Sequence, residues 1–311
     1  MCGRFSLRLD PAEIQQLNGY DVSVDEWERR DAFVPRYNIA PHTQAPVVRR
    51  RDSSSSELVM SSMKAQWGLV PHWSKFEDKS LNTTNARSEN LVDGGGMWSS
   101  LKGPKRCAVV CQGYYEWLTK GKSKLPHFVK PKDGRLMLMA GLFDAVILQG
   151  ETETLWTFTI VTTAANQEFA WLHDRQPVIL DTPEALNMWL DTSSQKWSPE
   201  LVKLVAPTTC SLECYQVPKE VGKVGTESST FIEPVANRKD GIQALFTKQK
   251  QAQASPKKVV RKRSPPPADG DSDIEVLDGP PSPKKLKSTP KKIHSEPSSS
   301  KITAFLSSKS K

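Results

Sequence analysis

The chain has 311 residues and a formal net charge of +8, and this length suffices for one large domain or two small ones. No apolar run reaches the roughly 18 residues of a membrane helix, and the first residues lack the pattern of a signal peptide. We therefore expect an intracellular protein without a membrane span. Five cysteines, an odd number in a chain of this length, favour reduced thiols over a disulfide framework.

Runs of apolar, β-branched and aromatic residues predict mostly strands. In chain order, the predicted strands cover residues 45–49, 58–67, 106–118, 136–148, 155–163 and 215–218. Helices are predicted where an Asp, Thr or Ser cap precedes a proline, at residues 11–16, 182–190 and 199–205. Many strands with few helices predict an α+β fold, built on a curved, mostly antiparallel, barrel-like sheet with a few flanking helices.

The positive charge lies at the C-terminal end. From residue 246 onward, 15 Lys and Arg and 6 Asp and Glu give a net charge of +9, which leaves the preceding residues at −1. Beyond Asn237 the composition shifts to Lys, Ser, Pro and Gln, which bury too little apolar surface to offset the entropy of ordering. We predict a folded domain over residues 1–238 and a disordered tail over 239–311.

Cys2 directly follows Met1, and a small second residue usually permits removal of the initiator methionine. The expected N-terminal cysteine carries an α-amine with a pKa of about 7.7–8.0 beside a thiol with a pKa of about 8.5. Together they can capture an aldehyde, because the amine forms an imine that the sulfur closes to a thiazolidine. The alternative is an accidental cysteine, so other residues must decide.

Four polar clusters are candidates for chemistry. They cover residues 36–41, 82–87, 113–117 and 173–177. Amides and a guanidinium in the second suit phosphate and sugar oxygens, and Glu116 among aromatic residues suits acid–base chemistry. His173 stands beside a carboxylate and a guanidinium. Each cluster also has a structural interpretation, as a loop cap, an edge-strand glutamate or a hydrogen-bonded histidine.

With Cys2, these clusters resemble the SRAP domain of the SOS-response-associated peptidase family, whose members shield abasic sites in DNA. Eight stretches match in the family's order: residues 2–5, 36–41, 67–71, 85–87, 113–117, 139–144, 159–163 and 173–177. They cover the chain from Met1 to about Val235. Gln176 stands where methionine or arginine is common in the family.

The resemblance implies a lyase-like enzyme in which Cys2 joins covalently to the ring-opened aldehyde of an abasic site in single-stranded DNA. It implies that Glu116 moves protons at the Cys2 amine and the sugar C1′, that His173 acts on the sugar oxygen, and that Asn85 orients the sugar. It also implies DNA contacts, by Arg4, Asn38, Pro41, Trp73, Arg87 and Thr162. Arg4 and Asn38 alternatively contact the N-terminus, and Pro41 and Trp73 resemble residues that wedge against flanking bases. No cofactor or metal is implied, and we expect a monomer.

Short motifs in the tail suggest partners and a location. Basic clusters at residues 257–263 and 284–287 resemble nuclear-import signals, which predicts the nucleus, with the cytoplasm as a second location. An acid-flanked apolar strip resembles a SUMO-interacting motif and contains Ile274, Val276 and Leu277. A last apolar cluster resembles a sliding-clamp (PCNA) binding box, with plug residues Ile302, Phe305 and Leu306 and with Ser299 in place of the usual glutamine.

Two alternatives stay open. Cys2, Glu116 and His173 would also serve a cysteine-type peptidase or hydrolase that acts on peptides or on its own N-terminus. A non-enzymatic scaffold would instead hold zinc on four thiolates, from Cys107, Cys111, Cys210 and Cys214. Their Cys-x3-Cys spacing is looser than the usual Cys-x2-Cys.

Overall fold

The computed structural model describes residues 3–22, 24–65, 68–78, 80–94, 96–207 and 210–237, without the side chains of residues 64 and 65. All of them belong to the first of two units into which the chain divides, Met1–Pro256 and Lys257–Lys311. Cys2, Trp67 and every tail motif lie outside the described residues. Within the described ranges, no helix is long and apolar enough to cross a membrane.

Strands dominate the described chain. They are β1 (Arg4–Leu7), β2 (Glu26–Glu28), β3 (Arg36–Ile39), β4 (Thr43–Arg50), β5 (Leu58–Ala65), β6 (Asn85–Arg87), β7 (Arg106–Cys111), β8 (Gly113–Lys120), β9 (Ser123–Pro131), β10 (Met137–Val146), β11 (Leu155–Ala164), β12 (Arg175–Pro177) and β13 (Leu212–Gln216). The α-helices are short, α1 (Pro11–Gln16), α2 (Ser88–Asp93), α3 (Pro183–Leu190) and α4 (Pro199–Leu204). This content confirms the α+β class.

The strands form two mostly antiparallel sheets. The first has the order β13-β9-β8-β1-β3, and the second has the order β12-β11-β10-β7-β4-β5-β2, with β6 added beside β11. In the second sheet, β2 and β6 pair in parallel with β5 and β11. One rung, Thr157 opposite Lys64, also links β11 to β5. The predicted curved, mostly antiparallel architecture is therefore confirmed, as two sheets rather than a closed barrel.

A shared core lies against both sheets. Its buried side chains include Phe5 and Tyr114 of the first sheet and Val109 and Met139 of the second. Successive residues of a strand face opposite sides, so Tyr115 belongs to a smaller cluster on the other face of the first sheet. The side chain of Glu116 therefore lies on the core-facing side of the first sheet, as that of Tyr114 does.

The single strand predicted over residues 106–118 is wrong, because the chain changes sheets there. β7 ends at Cys111 and β8 starts at Gly113 in the other sheet. At the break, the Gln112 N–H donates to the Ser6 carbonyl at 2.7 Å. A Cβ at Gly113 would lie 2.5 Å from the Val129 carbonyl oxygen, so glycine permits the close approach of β9.

The predicted helices are found with nearly the same bounds. Helix α1 spans the predicted residues, and its Asp10 cap accepts from the Ala12 N–H. Thr182 and Ser198 cap α3 and α4 in the same manner. Three of the polar clusters, at residues 36–41, 82–87 and 173–177, contain strands that were not predicted, namely β3, β6 and β12. The strand predicted at residues 215–218 corresponds to β13 and starts three residues earlier.

Candidate active site

Glu116 lies on β8 beside the start of β1. Arg4 pairs with Tyr115 in the antiparallel β1–β8 register, and one residue further along each strand are Gly3 and Glu116. The Glu116 side chain is buried, with the residue only 4% exposed, and its Oε1 accepts from the Trp117 N–H at 3.2 Å. A buried carboxyl group thus stands on the core-facing side of the first sheet, next to the first described residue.

His173 lies on the loop that joins β11 to β12 in the second sheet. The Ala165 N–H donates to the Asp174 carbonyl at 2.9 Å, and the Asn166 N–H donates to the Gln176 side-chain oxygen at 3.0 Å. Phe169 of this loop is buried in the core. The loop is therefore tied at its base and anchored in its middle, which fixes the position of the imidazole.

Two polar groups lie close to Nδ1 of His173. The Arg175 backbone nitrogen lies 3.0 Å away and Asp174 Oδ1 lies 2.6 Å away. Nδ1 accepts from the Arg175 N–H only when it carries no proton, whereas it donates to the Asp174 carboxylate only when it carries one. The His173 side chain is 31% exposed, so solvent reaches the imidazole.

His127 and Trp171 connect the two catalytic candidates. His127 of β9 is directly opposite Glu116 of β8 in the antiparallel register, so both side chains share one face. The ring of Trp171, two residues before His173, meets the His127 ring edge to face, with centroids 5.4 Å apart. The structure thus brings the His173 loop to the face of the first sheet that carries Glu116.

Asn85, Arg87 and Thr162 lie on adjacent strands of the second sheet. In the parallel β6–β11 pair, Arg87 is opposite Thr162. Arg87 is exposed, whereas the Asn85 side-chain oxygen is buried and has no hydrogen-bond partner among the described residues. Thr162 is fully buried, and its carbonyl accepts from Arg175 Nη2 at 2.7 Å. Arg87 is therefore accessible to solvent, while the described contact of Thr162 holds Arg175.

Arg175 also forms a bidentate ion pair with Glu89 of α2. Its Nη1 and Nη2 lie 2.5 and 2.9 Å from the two carboxylate oxygens. This pairing lowers the pKa of Glu89, because the guanidinium favours the ionised form. The base of the His173 loop is thereby joined to the helix that follows β6.

Arg4 and Asn38 form a buried network rather than an exposed surface. Arg4 Nη1 donates to Asn38 Oδ1 and to the Val221 carbonyl, both at 2.8 Å. The Asn38 amide donates to carbonyls of Val221, Lys223 and Thr226 at 3.1–3.2 Å. Burial lowers the pKa of Arg4. Their DNA contacts stay a prediction, and the geometry supports the alternative, a role in holding the N-terminal strand.

Pro41 and Trp73 lie at a cleft of about 320 Å³. The cleft is lined by His42 beside Pro41 and by Pro71 and Ser74 on either side of the Trp73 turn. Trp73 is 53% exposed. The preceding His72 is held by Asp144, a buried carboxylate that accepts from its backbone N–H at 2.7 Å and lies 2.9 Å from its ring Nδ1. The exposed indole therefore stands on an anchored turn.

The four cysteines of the zinc alternative do not form a metal-binding cluster. In the described part of the chain, no group of three or more His, Cys, Asp or Glu side chains could hold a metal ion. Burial raises the pKa of Cys210 to about 12 and that of Cys214 to about 11, which disfavours the thiolates that zinc requires. Cys107 and Cys111 are buried within β7.

Comparison with known proteins gives the family. The model of the SOS response associated peptidase (SRAP) family matches residues 1–224. The chain belongs to the SRAP family. It is 36% identical over 263 residues to the abasic site processing protein YMR114C of Saccharomyces cerevisiae, covering 76% of this chain and 68% of the yeast protein. It is 32% identical to the abasic site processing protein HMCES of Gallus gallus, over 76% and 78% of the two chains.

Bacterial relatives share the domain without the tail. The abasic site processing protein YoqW of Bacillus subtilis is 33% identical, over 75% of this chain and 99% of its own. A crystal structure of a protein from Bacteroides thetaiotaomicron has a TM-score of 0.62 at 24% identity, over 75% of this chain and 99% of that one. Its likeness shows that the two proteins share a fold.

Sequence reasoning missed His127 and Trp171 as parts of this SRAP site. His127 follows Pro126 in a segment that was not predicted as a strand, so its position opposite Glu116 was not apparent. Trp171 stood outside the matched stretches. An aromatic residue two positions before His173 was the available signal, but its exposure is visible only in the structure.

Proposed function

We propose that this SRAP protein processes abasic sites in single-stranded DNA by joining them covalently to Cys2. Relatives from yeast, chicken and Bacillus subtilis are named abasic site processing proteins. The observation that carries the proposal is the convergence of Glu116 and the His173 loop on one face of the first sheet, where β8 passes the start of β1. Cys2 lies outside the described residues and directly precedes Gly3 in the chain.

In the proposed reaction, the α-amine of Cys2 attacks the C1′ aldehyde of the open sugar. Loss of water gives an imine, and the Cys2 sulfur then adds to C1′ while the thiol proton passes to the nitrogen, which closes the thiazolidine. Glu116 accepts the amine proton during attack and returns it to the departing hydroxyl group. The imidazole of His173 donates to the ring oxygen as the sugar opens.

The DNA is held by groups on the second sheet. Arg87 is exposed and meets a phosphate beside the abasic sugar, which positions the strand without regard to sequence. The buried Asn85 oxygen accepts a hydrogen bond from the sugar. Trp73 and Pro41, which adjoin residues that line the cleft, stack against a flanking base.

The test is a denaturing gel of protein mixed with single-stranded DNA that contains one abasic site. We expect a shifted band with the mature chain and none with Cys2→Ala or with a chain that retains Met1. Cys2→Ser should form an imine that reduction traps, without a stable crosslink. Equal crosslinking by Cys2→Ala would refute the mechanism.

The peptidase alternative uses the same Cys2, Glu116 and His173. The family carries the word peptidase in its description, and removal of residues that precede Cys2 would be the simplest such activity. Cleavage of peptides in trans by a chain that forms no DNA crosslink would favour this alternative over the proposed reaction.

A further inference from the structure

Trp171 is an exposed indole in a loop that is otherwise anchored. Its residue is 51% exposed, whereas Phe169 and Leu172 on either side are 6% and 5% exposed. Tryptophan has the largest apolar surface of the side chains, and exposing half of it forgoes hydrophobic stabilisation. An exposed large apolar side chain beside candidate catalytic residues is a candidate for a binding contact.

The indole is also held in a fixed position. The His127 ring packs against it at 82°, and His127 Nδ1–H donates to the Leu125 carbonyl at 2.9 Å, which fixes the orientation of the imidazole. On the other side, the Leu172 and His173 N–H groups donate to the Phe169 carbonyl, at 2.9 and 3.3 Å. A ring with restricted rotation loses little entropy when a ligand stacks on it.

Trp171 lies between the two groups that the proposed reaction uses. Its ring contacts His127, which is directly opposite Glu116 in the β8–β9 register. Along the chain, Trp171 is two residues from His173. A sugar that reaches both groups must bring its neighbouring nucleotide near this indole. Because an abasic nucleotide has no base, the adjacent base has lost one stacking partner and has a free aromatic face.

We propose that Trp171, braced by His127, is a stacking subsite for the unpaired base next to the abasic nucleotide. This inference rests on the proposed function and adds a subsite on a different loop from Trp73. Base–aromatic stacking depends little on base identity, so the subsite recognises the presence of a base rather than a sequence.

The test is a double-mutant cycle between Trp171 and the flanking base. Three single-stranded DNAs each carry one abasic site, with bases on both sides, with a tetrahydrofuran spacer on the 5′ side, or with a spacer on the 3′ side. The half-saturating DNA concentration for crosslinking is measured for the parent, Trp171→Ala, Trp171→Leu and Trp171→Phe. Ile147→Ala, which removes another exposed apolar side chain at the end of β10, is the matched control.

We expect one of the two spacers to raise the parent's half-saturating concentration about 5- to 150-fold, as a stack of about 1–3 kcal/mol requires. Trp171→Ala should no longer respond to that spacer, and its response to the other spacer should equal that of the parent. Trp171→Leu, which keeps apolar volume, should behave like the alanine variant, while Trp171→Phe and Ile147→Ala should behave like the parent.

Two results would overturn the subsite. One is a Trp171→Leu variant that retains the parent's response to both spacers, and the other is a parent that responds to neither. A parent that crosslinks to none of the three DNAs would instead refute the proposed function, so the two failures are distinguishable.

Discussion

At the scale of single residues, the two catalytic candidates differ in their contact with water. Glu116 is buried beside Trp117 on the core-facing side of β8, whereas nearly a third of the His173 side chain is exposed. A buried carboxyl group is suited to moving protons within the site, and a partly exposed imidazole is suited to reaching a group that enters from solvent.

Removing either group should slow crosslinking without unfolding the protein. We expect Glu116→Gln and His173→Ala each to reduce the single-turnover rate with abasic DNA by about 10²–10⁴-fold, the usual contribution of a general acid or base. Glu151→Gln, at an exposed glutamate, is the control. Rates within twofold of the parent, with thermal unfolding unchanged, would assign both residues to structure instead.

The sequence was sufficient to nominate both residues, because a carboxylate among aromatics and a His-Asp-Arg turn are unusual combinations. The sequence could not predict whether the side chains of Arg4 and Asn38 are buried or exposed, because it does not show which residues they hydrogen-bond. Their partners lie more than 180 residues away, in the segment that follows β13. His127 was missed for a related reason, because its position opposite Glu116 depends on the register between β8 and β9.

At the scale of elements, the Arg4–Asn38 network holds three segments together. Arg4 lies on β1, Asn38 on β3, and the accepting carbonyls between Val221 and Thr226. Backbone carbonyls left buried without a donor are costly. The network therefore stabilises the part of the first sheet that adjoins Glu116.

Breaking this network should destabilise the domain measurably. We expect Asn38→Ala to lower the free energy of unfolding by about 2–4 kcal/mol, because Arg4 and several carbonyls lose a partner at once. Asn90→Ala, at an exposed position of α2, should change it by less than about 0.5 kcal/mol. Urea titrations of both variants make the comparison, and equal midpoints would show that the network contributes little.

The sequence predicted that the domain consists mostly of strands, but it did not predict all the segments that form strands or the sheet that each strand joins. The long apolar strands β4, β5, β10 and β11 were expected from their composition, whereas β6 and β12 span three residues each and carry polar side chains. Such short strands exist because neighbours supply hydrogen bonds, as β11 does for both. The change of sheet at Gln112 also depends on β1, which pairs from far away in the chain.

At the scale of the whole molecule, charge and chemistry are separated along the sequence. Every candidate catalytic residue lies within the residues that match the SRAP model, whereas the positive charge of the chain is concentrated from residue 246 onward. Cations that meet phosphates give affinity that depends on salt and not on damage. As part of the proposed function, we propose that the tail contributes general attraction to DNA and that the domain recognises the abasic site.

Deleting residues 239–311 should separate these properties. We expect the maximal crosslinking rate to stay within about twofold of the full chain, while binding to undamaged single-stranded DNA weakens and its dependence on salt becomes shallower. Crosslinking rates and salt titrations of the two chains measure both effects. A folded, truncated chain that no longer crosslinks would contradict this separation.

The interior position of β1 in the first sheet, between β8 and β3, has a consequence for biosynthesis. β1 needs both β3 and β8 as partners, and β8 begins more than 100 residues after β1 ends. At about 5–20 residues per second, a ribosome takes roughly 5–20 s to supply that partner. During this interval the residues before β1 are accessible to aminopeptidases, so the removal of Met1 that the proposed reaction requires can precede the assembly of the first sheet.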